Sequence, residues 1–228
     1  MNASFSRILN RKALVFTPLA KSTVEDAVTL EKAPSAASLK QAPIPTFEDF
    51  VAAGTEKGVE ISLNTLGPVF WIEAKAAVDG IGGPAGKLLG SVNGFVLPWP
   101  GGNLLHLDTM RVAREVRQLL ELSLILGGAM LRHGYDRGCK KAELLAINDT
   151  DVFHRKLVNY YRRIGFTKVH EVTGGLSDIP HMLVWGGLGT RMDADIETIL
   201  RKWSKRFARG SSGTIGDETD DRTMERTQ

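Results

Sequence analysis

Residues 144–166 read LLAINDTDVFHRKLVNYYRRIGF. An apolar run stops at Asn148-Asp149, a polar segment with helical spacing follows, and the stretch ends on Gly165-Phe166. The run 142–147 is short and nearly all apolar, which predicts a strand central in a sheet. Residues 150–164 predict a helix, and Gly165 predicts its end, because glycine tolerates the backbone conformation that closes a helix. Asp149 or Thr150 is placed to cap its start. Two adjacent tyrosines, Tyr160 and Tyr161, sit in the last turns, with Tyr161 one turn before the terminating glycine.

Working backward, apolar residues at Val116, Leu119, Leu120, Leu126 and Met130 give a long helix over 114–137, with Gly138 as its stop. Before it, NLLHLDTMRV (103–112) predicts a strand. The Pro98–Gly102 cluster makes it the antiparallel return of a strand over 86–99. Segments 59–64 and 68–78 alternate as strands, and 46–58 predicts a short helix stopped by Gly58. Working forward, 166–172 and HMLVWG (181–186) predict strands. A final amphipathic helix over 193–207 places Ile196, Ile199, Leu200, Trp203 and Phe207 on one face.

The ends differ from this middle. Residues 1–24 carry Arg7, Arg11, Lys12 and Lys21, several hydroxyl residues and no acid before Glu25, the composition of an organelle transit peptide. EKAPSAASLKQAPIP reads as a linker. The expected organisation is therefore a disordered leader and linker over 1–45, one domain over 46–208 and a disordered tail over 209–228.

The 228 residues are 43% hydrophobic and 24% charged, enough for one sizeable core. The formal charge of +3 is too small to argue for nucleic acid. The longest apolar stretch, 119–130, is interrupted by Glu121 and too short to cross a bilayer, so a buried helix is expected. The single cysteine, Cys139, excludes a disulfide within these residues and reads as a small buried side chain. The five histidines are scattered and no Cys/His cluster has zinc spacing, so no metal is expected.

The order strand, hairpin, long helix, buried strand, helix ending in Gly-Phe and two more strands resembles the GNAT family of acetyl-CoA-dependent N-acyltransferases. LRHGYDRGCKKAELLAIND and HMLVWGGLGTRMDA are similar to blocks of a plant and algal GNAT-like group thought to be plastid proteins. The resemblance spans about 59–207. It implies an α/β (α+β) fold, a mixed and mostly antiparallel sheet flanked by helices, with strands 103–112 and 142–147 splayed apart. It implies chloroplast localisation, with the mitochondrion as the alternative that composition leaves open. It implies acetyl-CoA as cosubstrate, its pantetheine arm lying in the splay against backbone groups around Met110 and Val112. Tyr161, with Gly165-Phe166 in register, matches the family tyrosine that protonates the leaving thiolate. Simple packing against the sheet explains a tyrosine there equally well.

Other positions follow from the same resemblance. Asn148 is placed to reach the cofactor amide, or to form a turn. In the histone-acetyltransferase branch a glutamate six residues before the strand-ending hydrophobic residue activates the amine. Counting back from Val112 gives His106, a base candidate, with Asp108 expected on the same strand face and a half-buried polar pair as the alternative. The family signature Arg/Gln-x-x-Gly-x-Gly/Ala, whose glycines let backbone approach the pyrophosphate, is not matched in VAREVRQLLELSL. Arg117 or Gln118 fills its first position, but both glycines are missing and Glu121 falls in the loop's register. Gly127-Gly128 read better as close packing sites between helix and sheet. Two functions follow: acetyl transfer to a small-molecule or protein amine by direct attack, without membrane or nucleic acid, or a non-catalytic GNAT-fold binding module. The latter would use the cleft or the Trp99 hairpin.

Overall fold

The computed structural model describes residues 41–113, 119–175, 178, 185 and 187–208. The leader and linker through residue 40, the tail from 209, and 114–118, with Arg114, Arg117 and Gln118, lie outside the described residues. Residues 41–45, expected as linker, lie against the domain. Ala42 and Pro45 offer their carbonyls to Arg201 and Arg132, and Ile44 packs on the core.

The chain runs α1 (Phe47–Thr55), β1 (Val59–Leu66), β2 (Val69–Ala76), β3 (Leu88–Leu97), β4 (Asn103–Val112), α2 (Leu119–Asp136), β5 (Cys139–Ile147), α3 (Asp151–Ile164), β6 (Thr167–Val172), β7 (Gly189–Asp195), α4 (Ile196–Lys202) and α5 (Ser204–Phe207). Thr46 caps α1 in a reciprocal box with Asp49, satisfying two backbone donors at once. The seven strands form one sheet ordered β1-β2-β3-β4-β5-β7-β6. Every neighbour pair is antiparallel except β4–β5, which is parallel with α2 as its crossover. This is the mixed sheet the resemblance implies.

Parallel pairing of β4 with β5 runs from Asn103↔Cys139 to Leu107↔Leu144 and then stops. Beyond that point β4 continues to Val112 bonded to β3, and β5 continues to Ile147 bonded to β7. The sheet therefore forks, as expected. A bulge opposite Asn93/Gly94 makes Asp108 the extra residue of β4, just where the fork opens.

Alternation along the strands sends Phe70, Ile72, Ala74, Val92, Leu105, Leu144 and Met192 to one face. There they join Phe50 of α1, Leu126 of α2, Leu157 of α3, Ile199 of α4 and Phe207 of α5 in one core. The named helices thus share a face, and removing this apolar surface from water drives the assembly. Cys139 is buried there, and burial pushes its thiol up to about 11, which leaves it protonated rather than nucleophilic.

Two elements differ from the sequence expectation. The strand expected over 181–186 lies mostly outside the described residues, and Trp185 within it is helical. The strand that enters the sheet is β7, Gly189–Asp195, so the last helix starts at Ile196 rather than 193. Asp193 and Asp195 both suit a helix start. Asp195 is the one used, its Oδ1 accepting from the Thr198 N–H at 2.8 Å. The helix also breaks at Trp203, and both pieces tuck onto this same domain, Phe207 meeting Phe50 at 4.9 Å between ring centroids.

Candidate active site

A cavity of about 20 Å³ sits at the fork. It is lined by Leu107, Thr109 and Met110 of β4, Leu144 of β5, Ser123 and Gly127 of α2, and Tyr160 and Tyr161 of α3. That volume admits a water molecule or little more. Its walls are mostly apolar, and the lining residues with polar side-chain atoms are Thr109, Ser123, Tyr160, Tyr161 and Trp203.

The sequence places Tyr161 here by ending α3 sharply. Gly165 sits at φ 123°, its N–H donating to the Tyr161 and Arg162 carbonyls. The Phe166 N–H returns to the Tyr161 carbonyl at 2.9 Å, and the Phe166 ring meets the Tyr161 ring edge-on at 5.8 Å. Gly165 and Phe166 thus hold Tyr161 against the core, where it is 4% exposed. Burial, then Tyr160, raises its phenol well above the usual range. The Tyr160 hydroxyl shares a 3.0 Å hydrogen bond with Ser123 and so ties α3 to α2 across the cavity. Burial raises its phenol too, against the Ser123 bond. Thr150 occupies the N-cap of α3 without a side-chain cap bond.

Met110 lines the cavity, and Val112, half-buried, pairs with Gly90 beyond the fork. Asn148 is exposed at the end of β5, its N–H donating to the Leu188 carbonyl at 2.9 Å. Glu121, the acid in the register of the missing phosphate loop, is held by Lys57 at 3.0 Å and Arg206 at 3.6 Å. Its charge is matched on the α1 and α5 side. Gly128 packs against Phe50 of α1 rather than against the sheet, while Gly127 faces Met110.

His106 is not in this cavity. Its neighbour Leu107 is, and alternation sends the His106 ring to the opposite face of the sheet. There it is 1% exposed, with Nδ1 2.8 Å from Glu143 Oε1. Phe95 stacks on it at 4.5 Å and Trp185 at 4.1 Å. The expected pairing with Asp108 does not form. The bulge breaks the alternation, and Asp108 instead accepts from Asn93 and Thr109, both at 3.0 Å. Glu143 Oε2 accepts from Arg191 at 2.9 Å, and Arg191 reaches Asp193 at 3.3 Å. Burial raises the Asp193 carboxyl, against the opposing pull of Arg191.

Sequence reading missed Glu143 and Arg191. The signal for Glu143 was present: it is the one acid inside the buried run 142–147. A buried carboxylate requires a partner. The His106–Glu143 pair is the step of the parallel ladder immediately before Leu107↔Leu144. Tyr161 and His106 therefore flank the fork from its two faces. No group of three or more metal-ligating side chains forms among the described residues.

No protein-family model and no curated protein sequence matches the chain. Among solved structures, the NatC complex bound to Gag peptide and CoA aligns at TM-score 0.37 and 15% identity, over 55% of this chain and 70% of that chain. Arabidopsis thaliana NAA60 in complex with acetyl-CoA aligns at 0.39 and 15%, over 56% of this chain and 74% of that chain. A GCN5-related glucosamine N-acetyltransferase region of a fungal multi-domain GH3 beta-N-acetylglucosaminidase aligns at 0.38 and 14%, over 64% of this chain and 17% of that chain. At such low overlap, function has to be read from this chain's own residues.

Proposed function

We propose that the chain is an N-acyltransferase that moves an acetyl group from acetyl-CoA to an amine at the fork between β4 and β5. The observation that carries this reading is the end of parallel pairing at Leu107↔Leu144, beside a buried tyrosine. Past the fork, no strand among the described residues pairs the backbone groups on the β5 side of β4. Such groups seek partners, and the amides of a pantetheine arm suit them. The thioester end then meets the hydroxyl-bearing side of the cavity.

The reaction balances without an enzyme-bound intermediate. The amine nitrogen attacks the thioester carbonyl, the C–N bond forms and the C–S bond breaks. Tyr161 gives its proton to the leaving thiolate, and His106 takes the proton that the amine sheds. Position supports the first role: Tyr161 lines the cavity at the fork, one turn before the end of α3.

The test is thiol release from acetyl-CoA across a panel of amines. Tyr161→Phe is expected to lower kcat about 10²-fold with acetyl-CoA affinity unchanged. Equal turnover by the phenylalanine variant would remove Tyr161 from the chemistry.

A second reading, a non-catalytic GNAT-fold module, has its own observations. The signature glycines are missing, the cavity is small, and Trp99 on the β3–β4 hairpin is 64% exposed. It predicts no acetyl-CoA binding and a partner bound through Trp99, which Trp99→Ala would abolish in a pull-down.

A further inference from the structure

Glu143 faces away from the Tyr161 cavity and its charge is fully engaged. Oε1 meets His106 Nδ1 at 2.8 Å and Oε2 meets Arg191 at 2.9 Å. A carboxylate only accepts, so the shared proton belongs to Nδ1. In the neutral ring the lone pair is then fixed on Nε2. Phe95 and Trp185 both stack within 4.5 Å of the ring centroid, which places them on opposite faces of the imidazole. The ring is thus clamped on both faces and at one nitrogen. Such a ring has one tautomer and one direction in which to act.

The charge around it has a matching sign. From β5 it faces Glu143, and behind that stand Arg191 and Asp193 of β7. Phe95 of β3 and Trp185 bring no charge. Asp108, next along β4, turns to Asn93 and Thr109. Glu143 is the charged side chain bonded to the ring, and an acid rather than a second base meets Nδ1.

We infer that Glu143 is a positioning residue for His106: it sets the Nδ1–H tautomer, aims Nε2 as the basic atom, and stabilises the imidazolium formed in transfer. The inference rests on the acyltransferase reading given above, in which His106 takes the proton of the amine. Arg191 holds the second oxygen of Glu143, so the carboxylate cannot swing away from the ring.

The test is long-range proton–nitrogen NMR of the histidine rings in the full chain, with His106→Gln to assign the signals. At pH 7.5 the expected wild-type spectrum shows His106 protonated on Nδ1 and bare on Nε2. In Glu143→Gln the two tautomers are expected to mix, because an amide can donate to Nδ1 as well as accept from it. The value of kcat falls with that mixing, while acetyl-CoA affinity stays within about twofold. A wild-type ring carrying both protons at pH 7.5 would overturn the inference, because it has no lone pair. So would a Glu143→Gln spectrum with unchanged tautomer. The wild-type spectrum decides even where the variant fails to fold. Absence of acetyl-CoA binding is read separately, by calorimetry, and overturns the acyltransferase reading and the base role with it.

Discussion

Adjacent residues in α2 respond to their surroundings in opposite ways. A methyl group at Gly128 would overlap the Phe50 ring. Gly128→Ala is expected to destabilise the domain by about 1–3 kcal/mol, measured by urea unfolding. At Gly127 the nearest atom to an added Cβ is the Met110 methyl at 3.7 Å, an ordinary contact. Gly127→Ala is expected to stabilise by about 0.5–1 kcal/mol, because alanine loses less backbone entropy in a helix. Equal effects at the two positions would contradict the packing described here. The pair also shows what one sequence conveys. Two glycines in an apolar helix announce a close approach, but only the placement of Phe50 says which of them makes it. His106 is a similar case. Counting from Val112 found the residue, while its partner Glu143 lay 37 positions on, reached only by parallel pairing.

At the scale of elements, β5 and α3 were legible because their signals are local, whereas the fork came only from the resemblance. An apolar run, a helical segment and a glycine stop at 142–165 mark one strand, one helix and its end, and Gly165 takes the positive φ that position needs. The last strand was not legible in the same way. GTRMDAD alternates, but Met192 is the one large apolar residue among its buried members, beside Thr190 and Ala194, and Asp193 mimics a cap. Burial here comes from neighbours, β5 on one side and β6 on the other. The fork itself carries a prediction. The facing edges of β4 and β5 past Leu107 and Leu144, which no strand among the described residues pairs, are the ones proposed to engage an acyl-CoA arm. Hydrogen–deuterium exchange over 108–112 is expected to slow on adding acetyl-CoA, with β1 and β2 unchanged. Protection spread evenly over the sheet, or absent from 108–112, would argue against the fork as the binding site.

For the whole molecule, stability is expected to depend on pH through buried histidines. His133 is 8% exposed and packs on Phe70 at 5.0 Å. Burial, then Arg137, lowers its pKa from 6.5, while Asp136 opposes. The folded state therefore resists a proton that the unfolded chain accepts, and stability is lost as pH falls below about 6.5 toward the folded value. His154, lowered mainly by burial, adds to the same limb. His133→Phe should flatten part of the fall in melting temperature between about pH 6.5 and 5, and an unchanged slope would place His133 in solvent. The molecule has one core and one forked sheet, and the fork is where an acyl-CoA is proposed to bind. The most direct measurement is isothermal calorimetry of the full chain with acetyl-CoA, beside Tyr161→Phe. The account predicts saturable binding with Kd on the order of 10 µM, the same for both proteins. No heat of binding at about 1 mM acetyl-CoA, a concentration that detects even complexes worth only about 4 kcal/mol, would contradict it.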